Sequence, residues 1–278
     1  MNGLLLGGRR YDLTSRTLVM GILNRTPDSF YDKGASFDLD ALLRRAELLV
    51  DEGADILDVG GVKAGPGPEV GEAEELDRVV PAVEAVAARF DLPVSVDTWR
   101  AAVLDAACRA GAVCGNDISG FADPAYLPTA ARHQAAVVAT HIRLRPRVPD
   151  PQPVYDDLVG EVCAFLAERT RWALSAGIPA ESVVLDAGLD LGKTAAQSAV
   201  LLRESPRLVA LGHPLLLSAS NKTFLGVYLD QAIDQRRWSS LAVTAYGVAR
   251  GVRIVRVHDV AGTVRVVRTV EALLGPES

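Results

Sequence analysis

Polar side chains that can bind a ligand recur at one kind of place in this chain, directly after short apolar segments. Runs such as "LPVSVDT" and "SVVLDAG" end in a carboxylate, and others end in an amide, an imidazole or a cation. Any one of these residues alone is most simply a helix N-cap or a turn former. Their repetition indicates one shared polar site, with these candidate residues: Asn24, Asp58, Asp97, Asn116, His141, Asp186, Ser220, Asn221, Lys222, Arg256 and His258.

Four of these side chains suit a flat, nitrogen-rich ring. Asp97 and Asp186 offer carboxylate acceptors, and Asn116 offers both a donor and an acceptor. Lys222 adds a cation to this set. Together they match a planar heterocycle with amino-imino and carbonyl edges.

A second group of candidates suits an anion. Arg256 and His258 are two residues apart in the last apolar run, so on a strand they lie on one face and can clamp an anion. Asn24 can supply a carbonyl oxygen to a hard metal ion. The pattern therefore predicts a heterocycle that carries phosphate. The alternative for His258 is a hydrogen-bonded core histidine.

The elements that must position these residues alternate regularly. Short runs rich in β-formers are separated by segments with helical periodicity, and Gly53, Gly111, Gly177 and Gly251 end helices just before the next run. The eight predicted strands are "TLVMGILN", "ADILDVG", "LPVSVDT", "AVCGNDIS", "AAVVATHI", "SVVLDAG", "PLLLSASN" and "VRIVRVHDV". This alternation predicts an α/β fold, a closed (β/α)₈ TIM barrel, with an open doubly wound sheet as the alternative. Gly7-Gly8 between short apolar runs predicts a small N-terminal hairpin.

Composition limits the classes of partner. The 278 residues are 49% hydrophobic, which is enough for one core, and we expect a single domain over residues 1–278. The net charge is -6 and the cations are scattered, so nucleic acid and anionic membranes are not expected partners. We found no signal peptide or membrane-spanning run, and three cysteines without C-x-x-C spacing are typical of free thiols in a reducing cytosol. A cytoplasmic protein with a small polar ligand is expected.

Six motifs resemble those of one enzyme family. The segments "GILNRTPDSFYDKG", "SVDTW", "NDISG", "LDAGLDLGKT", "SNKTFLG" and "RVHDV" occur in the order and spacing of the dihydropteroate synthases of folate biosynthesis. The resemblance extends from about Thr17 to Leu274. It implies a barrel that binds 6-hydroxymethyl-7,8-dihydropterin diphosphate with Mg²⁺, joins it to p-aminobenzoate with release of pyrophosphate, and forms a homodimer.

The resemblance also implies roles by position. The residues matching those that hold the pterin are Asp97, Asn116, Asp186 and Lys222. The residues matching catalytic positions are Asn24, Arg256, His258 and Lys222, with Asn24 as the metal ligand and with Asn24, Arg256 and His258 on the Mg²⁺-diphosphate. Further substrate-binding positions are Phe30, Pro66 and Ser220.

Three segments depart from the family pattern. In "DVGGVKAGPGPEV" a Glu-Ser-Thr-Arg run is replaced by residues 62–65, Val-Lys-Ala-Gly, so a threonine and an arginine that contact p-aminobenzoate and diphosphate are missing. Asn221 stands where a Ser-Arg-Lys motif has its arginine. In "DAGLDLGKT", Ala187, Asp190 and Leu191 replace proline, glycine and phenylalanine.

Three functions remain after these departures. The favoured hypothesis is a homologue that keeps the pterin-diphosphate pocket but has weak, altered or no condensation with p-aminobenzoate, acting in binding, in regulation or on another acceptor. The alternative is an active dihydropteroate synthase. The third is a methyltetrahydrofolate methyl-transfer domain, against which "NRTPDSF" and the Arg256-x-His258 pair count.

Other cations are candidates to replace the lost arginines. Arg25 and Lys63 occupy positions that are usually uncharged in the family, and three arginines follow the fifth strand: Arg143, Arg145 and Arg147. The simpler interpretation of that arginine cluster is a solvated loop.

Overall fold

The computed structural model describes residues 3–25, 39–65, 67 and 69–275; the predicted contacts Phe30 and Pro66 lie outside this part of the chain. Eight parallel strands close into a barrel in chain order, the last pairing with the first, so the predicted TIM barrel is confirmed and the open sheet is excluded. The barrel strands are β3 (Leu18–Asn24), β4 (Ile56–Gly60), β5 (Val94–Asp97), β6 (Cys114–Asp117), β7 (Ala136–Thr140), β8 (Val183–Asp186), β9 (Leu215–Leu217) and β10 (Ile254–Val257).

The predicted N-terminal hairpin is also present. Strands β1 (Gly3–Leu6) and β2 (Arg9–Asp12) pair antiparallel, and the connecting Gly7 and Gly8 have φ of 54° and 78°, which glycine adopts without strain. Leu4 and Leu6 of β1 are buried in the apolar cluster that fills the barrel interior. The hairpin therefore covers one end of the barrel, which leaves the other end for a polar site.

Helices surround the barrel and follow the strands. They are α1 (Leu39–Asp51), α2 (Glu72–Arg89), α3 (Ala101–Arg109), α4 (Tyr126–Arg132), α5 (Leu158–Ser175), α6 (Ala195–Arg203), α7 (Ser205–Val209), α8 (Thr223–Leu229), α9 (Arg237–Ala249) and α10 (Val260–Leu274). The four predicted helix-ending glycines follow α1, α3, α5 and α9 with φ between 91° and 114°, the left-handed conformation of a C-terminal cap. None of the helices in the described ranges is long and apolar enough to span a membrane.

The pleat of the strands decides which side chains reach the barrel interior. In β3, Leu18 and Met20 belong to the interior cluster, whereas Val19 and Leu23 pack outward against the helices. Side chains along a strand point alternately into the barrel and out of it. At the carboxyl ends of the strands, the residues at the inward-facing positions are polar, so they lie inside the barrel above the apolar layers. Asn116 follows the interior residue Cys114 by two positions, and Asp186 follows Val184 in the same way.

Candidate functional site

A cavity of about 330 Å³ opens at the carboxyl ends of the barrel strands; we call it the strand-end cavity. It is lined by five of the predicted site residues, which are Asp97, Asn116, Asp186, Lys222 and Arg256. Its remaining lining consists of Ala64, Gly65, Ile118, Thr140, Leu189, Asp190, Leu191, Ser218 and Thr223. The structure thus brings the whole predicted heterocycle-binding set to one place.

Arg256 links two carboxylates within the strand-end cavity. Its Nε donates to Asp58 Oδ2 at 2.6 Å, and its terminal nitrogen Nη2 donates to Asp97 Oδ2 at 2.7 Å. Asn116 Nδ2 donates to the same Asp58 oxygen at 3.4 Å, and Asp58 is fully buried. Arg256 therefore neutralises a carboxylate that has no contact with water.

The charge of Asp97 is set by opposing effects. Burial raises its pKa to about 7, and the nearby Arg256 works in the opposite direction. The pKa of Arg256 is itself raised, because Asp58 and Asp97 outweigh its burial. Asp97 can therefore be either a donor or an acceptor near neutral pH.

Asp186 and Lys222 face the same cavity from β8 and from the segment after β9. The Asp186 Oδ1 accepts a hydrogen bond from the backbone amide of Gly188 at 2.7 Å, and burial raises the pKa of this carboxyl. Lys222 Nζ donates to the Leu189 carbonyl at 2.6 Å, and burial lowers its pKa. A carboxylate and an ammonium group thus point into one enclosed volume, as expected for a ring with donor and acceptor edges.

Ser220 and His258 form a separate pair. Ser220 Oγ accepts from the His258 backbone amide at 3.3 Å and lies 3.0 Å from the ring Nδ1. A hydroxyl oxygen can accept two hydrogen bonds, so either the hydroxyl or the ring Nδ1 supplies the proton of this contact. Burial lowers the pKa of His258 to about 4, so the ring is neutral at pH 7. Both residues line a neighbouring cavity of about 240 Å³ together with Asn221.

Asn24 ends β3 beside β4 and β5. Its Oδ1 and the Asp97 Oδ2 flank Gly60, where an added methyl group would lie 3.7 Å from each oxygen. Within the described residues, no three or more His, Cys, Asp or Glu side chains are grouped as metal ligands. Mg²⁺ commonly binds one or two protein oxygens plus substrate phosphates and water. The Asn24 Oδ1 is a carbonyl oxygen of the kind that such an ion binds.

A buried lysine that the sequence did not single out joins two segments beside the strand-end cavity. Lys193 Nζ lies 2.9 Å from His141 Nδ1, from the Gly188 carbonyl and from the Leu191 carbonyl. Burial lowers the pKa of Lys193 to about 7 and that of His141 to about 3. Lys193 thereby connects the segments that follow β7 and β8. The only signal in the sequence is its place in the "LDAGLDLGKT" motif.

Arginine side chains hold the loop after β4 in place through hydrogen bonds to its backbone carbonyls. Arg78 donates to the Gly61 carbonyl at 2.9 Å, Arg100 to the Val70 carbonyl at 2.8 Å, and Arg147 to the Lys63 carbonyl at 3.2 Å. A methyl group added at Gly61 would come within 2.7 Å of the Val79 side chain, so glycine is required there. These contacts fix the path of the loop without using the side chains of residues 62–65.

The five cations that are candidates to replace the lost arginines do not line the strand-end cavity; they are Arg25, Lys63, Arg143, Arg145 and Arg147. Arg25 donates to the Arg78 carbonyl at 2.7 Å, and Arg143 pairs with Asp150 at 2.5 Å. Arg145 and Arg147 line another cavity, of about 290 Å³, which shares a wall with the strand-end cavity. That shared wall is made of Ala64, Gly65, Asp190 and Leu191.

Comparison with known proteins agrees with this geometry. The family model described as pterin binding enzyme matches residues 20–258. The chain is 41% identical to a dihydropteroate synthase of Synechocystis sp., over 96% of this chain and 94% of that protein. It is 45% identical to the inactive dihydropteroate synthase 2 of Mycobacterium leprae, over 94% of this chain and 91% of that protein.

A solved relative has the same fold. The structure of Xanthomonas albilineans dihydropteroate synthase with 4-aminobenzoic acid matches with a TM-score of 0.91 and 38% identity, covering 99% of this chain and 98% of that one. The likeness therefore covers the barrel, the hairpin and every strand that carries the site. Family model, relatives and structure agree that this chain belongs to the dihydropteroate synthase family of pterin-binding enzymes.

Proposed function

We propose that this chain binds a pterin diphosphate in the strand-end cavity and has weak, altered or no condensation with p-aminobenzoate. The observation that carries the proposal is the convergence of Asp97, Asn116, Asp186, Lys222 and Arg256 on one cavity of about 330 Å³. Carboxylate and amide groups would orient the ring, and Arg256 would turn from the carboxylates toward the diphosphate. Pockets of this kind use a few fixed polar groups to set orientation and specificity.

The weak, altered or absent condensation with p-aminobenzoate is inferred from the rim of the strand-end cavity, where the loop after β4 contributes Ala64 and Gly65. Ala64 and Gly65 line it where the family pattern has a threonine and an arginine, so this wall offers no side-chain donor. Asn221 lines the neighbouring cavity with Ser220 and His258, where the family arginine is missing. A hydrogen bond to a charged group contributes about 1.5–3 kcal/mol, so two losses favour poor binding of this acceptor.

The alternative is an active dihydropteroate synthase, supported by the 41% identity to the Synechocystis sp. enzyme. In that reaction the arylamine nitrogen forms a bond to the exocyclic carbon of the pterin. The carbon–oxygen bond to the diphosphate breaks, pyrophosphate leaves, and the amine releases a proton to solvent. Arg256 and His258 would stabilise the negative charge on the leaving group, and Lys222 would help hold the ring.

The proposal includes three further expectations. Mg²⁺, carried by the diphosphate and held by Asn24, would neutralise part of the leaving-group charge. A homodimer and a cytoplasmic location are expected from the family resemblance.

The test separates binding from turnover. The protein would be titrated by calorimetry with 6-hydroxymethyl-7,8-dihydropterin diphosphate and Mg²⁺, and pyrophosphate release would be followed with and without p-aminobenzoate. We expect pterin binding with little acceptor-dependent release. Absence of pterin binding would refute the pocket assignment. Release within about tenfold of the rate of an active relative, a difference under about 1.4 kcal/mol in the barrier, would favour the active enzyme instead.

A further inference from the structure

Asp190 is an acidic residue on the shared wall between two cavities. Its Oδ2 accepts hydrogen bonds from the backbone amides of Thr223 at 2.6 Å and Phe224 at 3.3 Å, and its Oδ1 lies 3.4 Å from Ser198 Oγ. Its φ is 65°, a conformation that glycine adopts more easily than aspartate. The carboxylate is therefore fixed in place at a position where the backbone would favour a residue without a side chain.

Four of the described residues line both cavities. Ala64, Gly65 and Leu191 have uncharged side chains, so Asp190 is the one ionisable group among these four. A ligand that extends from the strand-end cavity into the cavity of about 290 Å³ would pass Asp190. Two backbone amide donors are an arrangement that stabilises a carboxylate anion.

Among the described residues, the lining of the strand-end cavity has more acidic than basic side chains. Its lining contains the acids Asp97, Asp186 and Asp190 against the cations Lys222 and Arg256. Arg256 is shared with the buried carboxylate of Asp58, and the charge of Lys222 is shared between Asp186 and Asp190. Arg145 and Arg147 line the cavity of about 290 Å³ on the far side of the shared wall and are not in the lining of the strand-end cavity.

We propose that Asp190 selects the charge of the second ligand, so that the molecule meeting the pterin is a positively charged or uncharged amine and not a carboxylate. The inference rests on the proposed pterin site and names the acceptor class for it. A carboxylate next to Asp190 would be repelled by a like charge, whereas an ammonium group would be attracted by an opposite charge. The expected order of affinity is cation, then neutral amine, then anion.

The test uses three arylamines that differ only opposite the amino group: 4-aminobenzylamine, 4-aminobenzamide and 4-aminobenzoate. Each would be titrated by calorimetry into protein already saturated with 6-hydroxymethyl-7,8-dihydropterin, pyrophosphate and Mg²⁺, a mixture that cannot condense. We expect Asp190→Asn to reduce the affinity ratio of the benzylamine to the benzoate by about tenfold, as removal of one nearby charge should. Asparagine tolerates the positive φ and can still accept from the two amides.

The matched control is Asp230→Asn. Asp230 also has a positive φ, 49°, but it is exposed and lies at the opposite end of α8. The ratio should stay within about twofold of the unmodified protein in this variant. Asp190→Gly should change the ratio in the same direction as Asp190→Asn, which guards against an effect peculiar to the amide.

The outcomes separate this inference from the proposed function. Failure of 6-hydroxymethyl-7,8-dihydropterin to bind the unmodified protein overturns the proposed function itself. Normal pterin binding with an unchanged ratio in both Asp190 variants overturns only the role of Asp190. Pterin binding without binding of any of the three arylamines also overturns it, since the cationic and neutral probes should bind.

Discussion

The floor and the rim of the strand-end cavity are built in different ways. The floor consists of side chains on β5, β6, β8 and β10, and Asp97 is bound to Arg256. The rim loop after β4 is held through backbone carbonyls of Gly61, Lys63 and Val70. Side-chain contacts fix the identity of floor residues, whereas carbonyl contacts accept any side chain. The loop can therefore keep its path while its ligand-binding groups change.

The largest expected effect is on the floor, at Asp186. Asp186→Asn keeps the shape of the side chain and an acceptor for the Gly188 amide but removes the charge that faces the ring. We expect the affinity for 6-hydroxymethyl-7,8-dihydropterin to fall about 100-fold, or about 2.7 kcal/mol, which is the size of a lost charge-assisted hydrogen bond. Calorimetric titration would measure it.

Asp117 provides the control for that substitution. It also ends a barrel strand and is buried, but its oxygens accept from the backbone amides of Ser119 at 2.5 Å and Phe121 at 2.9 Å. Asp117→Asn should lower stability without changing pterin affinity. Equal losses of affinity in both variants would mean that the effect is structural, and the floor assignment of Asp186 would be wrong.

The next effect is on stability, at Lys193, which joins the segments after β7 and β8. Lys193→Met leaves His141 Nδ1 and the Leu191 carbonyl without their donor, whereas the Gly188 carbonyl keeps the Leu191 amide. We expect a loss of about 2 kcal/mol, since buried groups without partners cost about 1–3 kcal/mol. In a chain of this size that lowers Tm by about 4–8 °C in calorimetry. Arg171→Met on the exposed surface of α5 should change Tm by less than about 2 °C. Similar changes in both variants would contradict the supporting role.

Much of the floor could be predicted from the sequence because two simple rules place it. The alternation of strands and helices gives the barrel, and the period of two along each strand sends Asp97, Asn116 and Asp186 inward at the same end. The glycines after α1, α3, α5 and α9 could be identified because only a left-handed cap explains their spacing. These features depend on local patterns that every strand repeats.

The remaining contacts could not be predicted, because they join distant segments through single groups. The pairing of Arg256 with Asp58 spans 198 positions, and that of Lys193 with His141 spans 52. The sequence places Arg256 and His258 in one anion clamp, yet the structure binds Arg256 to carboxylates and His258 to Ser220. Side-chain direction at the end of a strand depends on partners that no local pattern shows.

A pH dependence would sharpen the description of the floor. Burial raises the pKa of Asp97 to about 7, so this carboxyl is mostly protonated at pH 6 and mostly ionised at pH 8. A ring N–H needs the ionised acceptor, so pterin affinity should rise with pH, by about tenfold from pH 6 to pH 8. Calorimetry across this range would measure the slope. Asp97→Asn should bind weakly and without that slope, and a slope that persists in the variant would assign the titration to another group.

The smallest expected effect is on the rim, where the acceptor groups of the family would be restored. Gly65→Arg and Asn221→Arg together return two cations to the positions that lost them. An added methyl group at Gly65 meets no atom within 4 Å, so this change fits, whereas Asn221 has a φ of 59°, which costs arginine about 1–2 kcal/mol. Exposed ion pairs contribute about 0.2–1 kcal/mol each, so p-aminobenzoate should bind about fivefold more tightly.

The control for the restored rim is the uncharged pair Gly65→Gln with Asn221→Gln, which adds similar bulk and meets the same backbone strain. Calorimetry on protein holding 6-hydroxymethyl-7,8-dihydropterin and pyrophosphate should show the gain only in the arginine pair, and the gain should shrink as salt screens the charges. Pterin affinity should be equal in both, because neither substitution touches the floor. A gain in the glutamine pair would mean that packing, not charge, limits the acceptor. No gain in either pair of substitutions would mean that other positions cause the weak binding of p-aminobenzoate. Asp190 would then be the next rim residue to substitute.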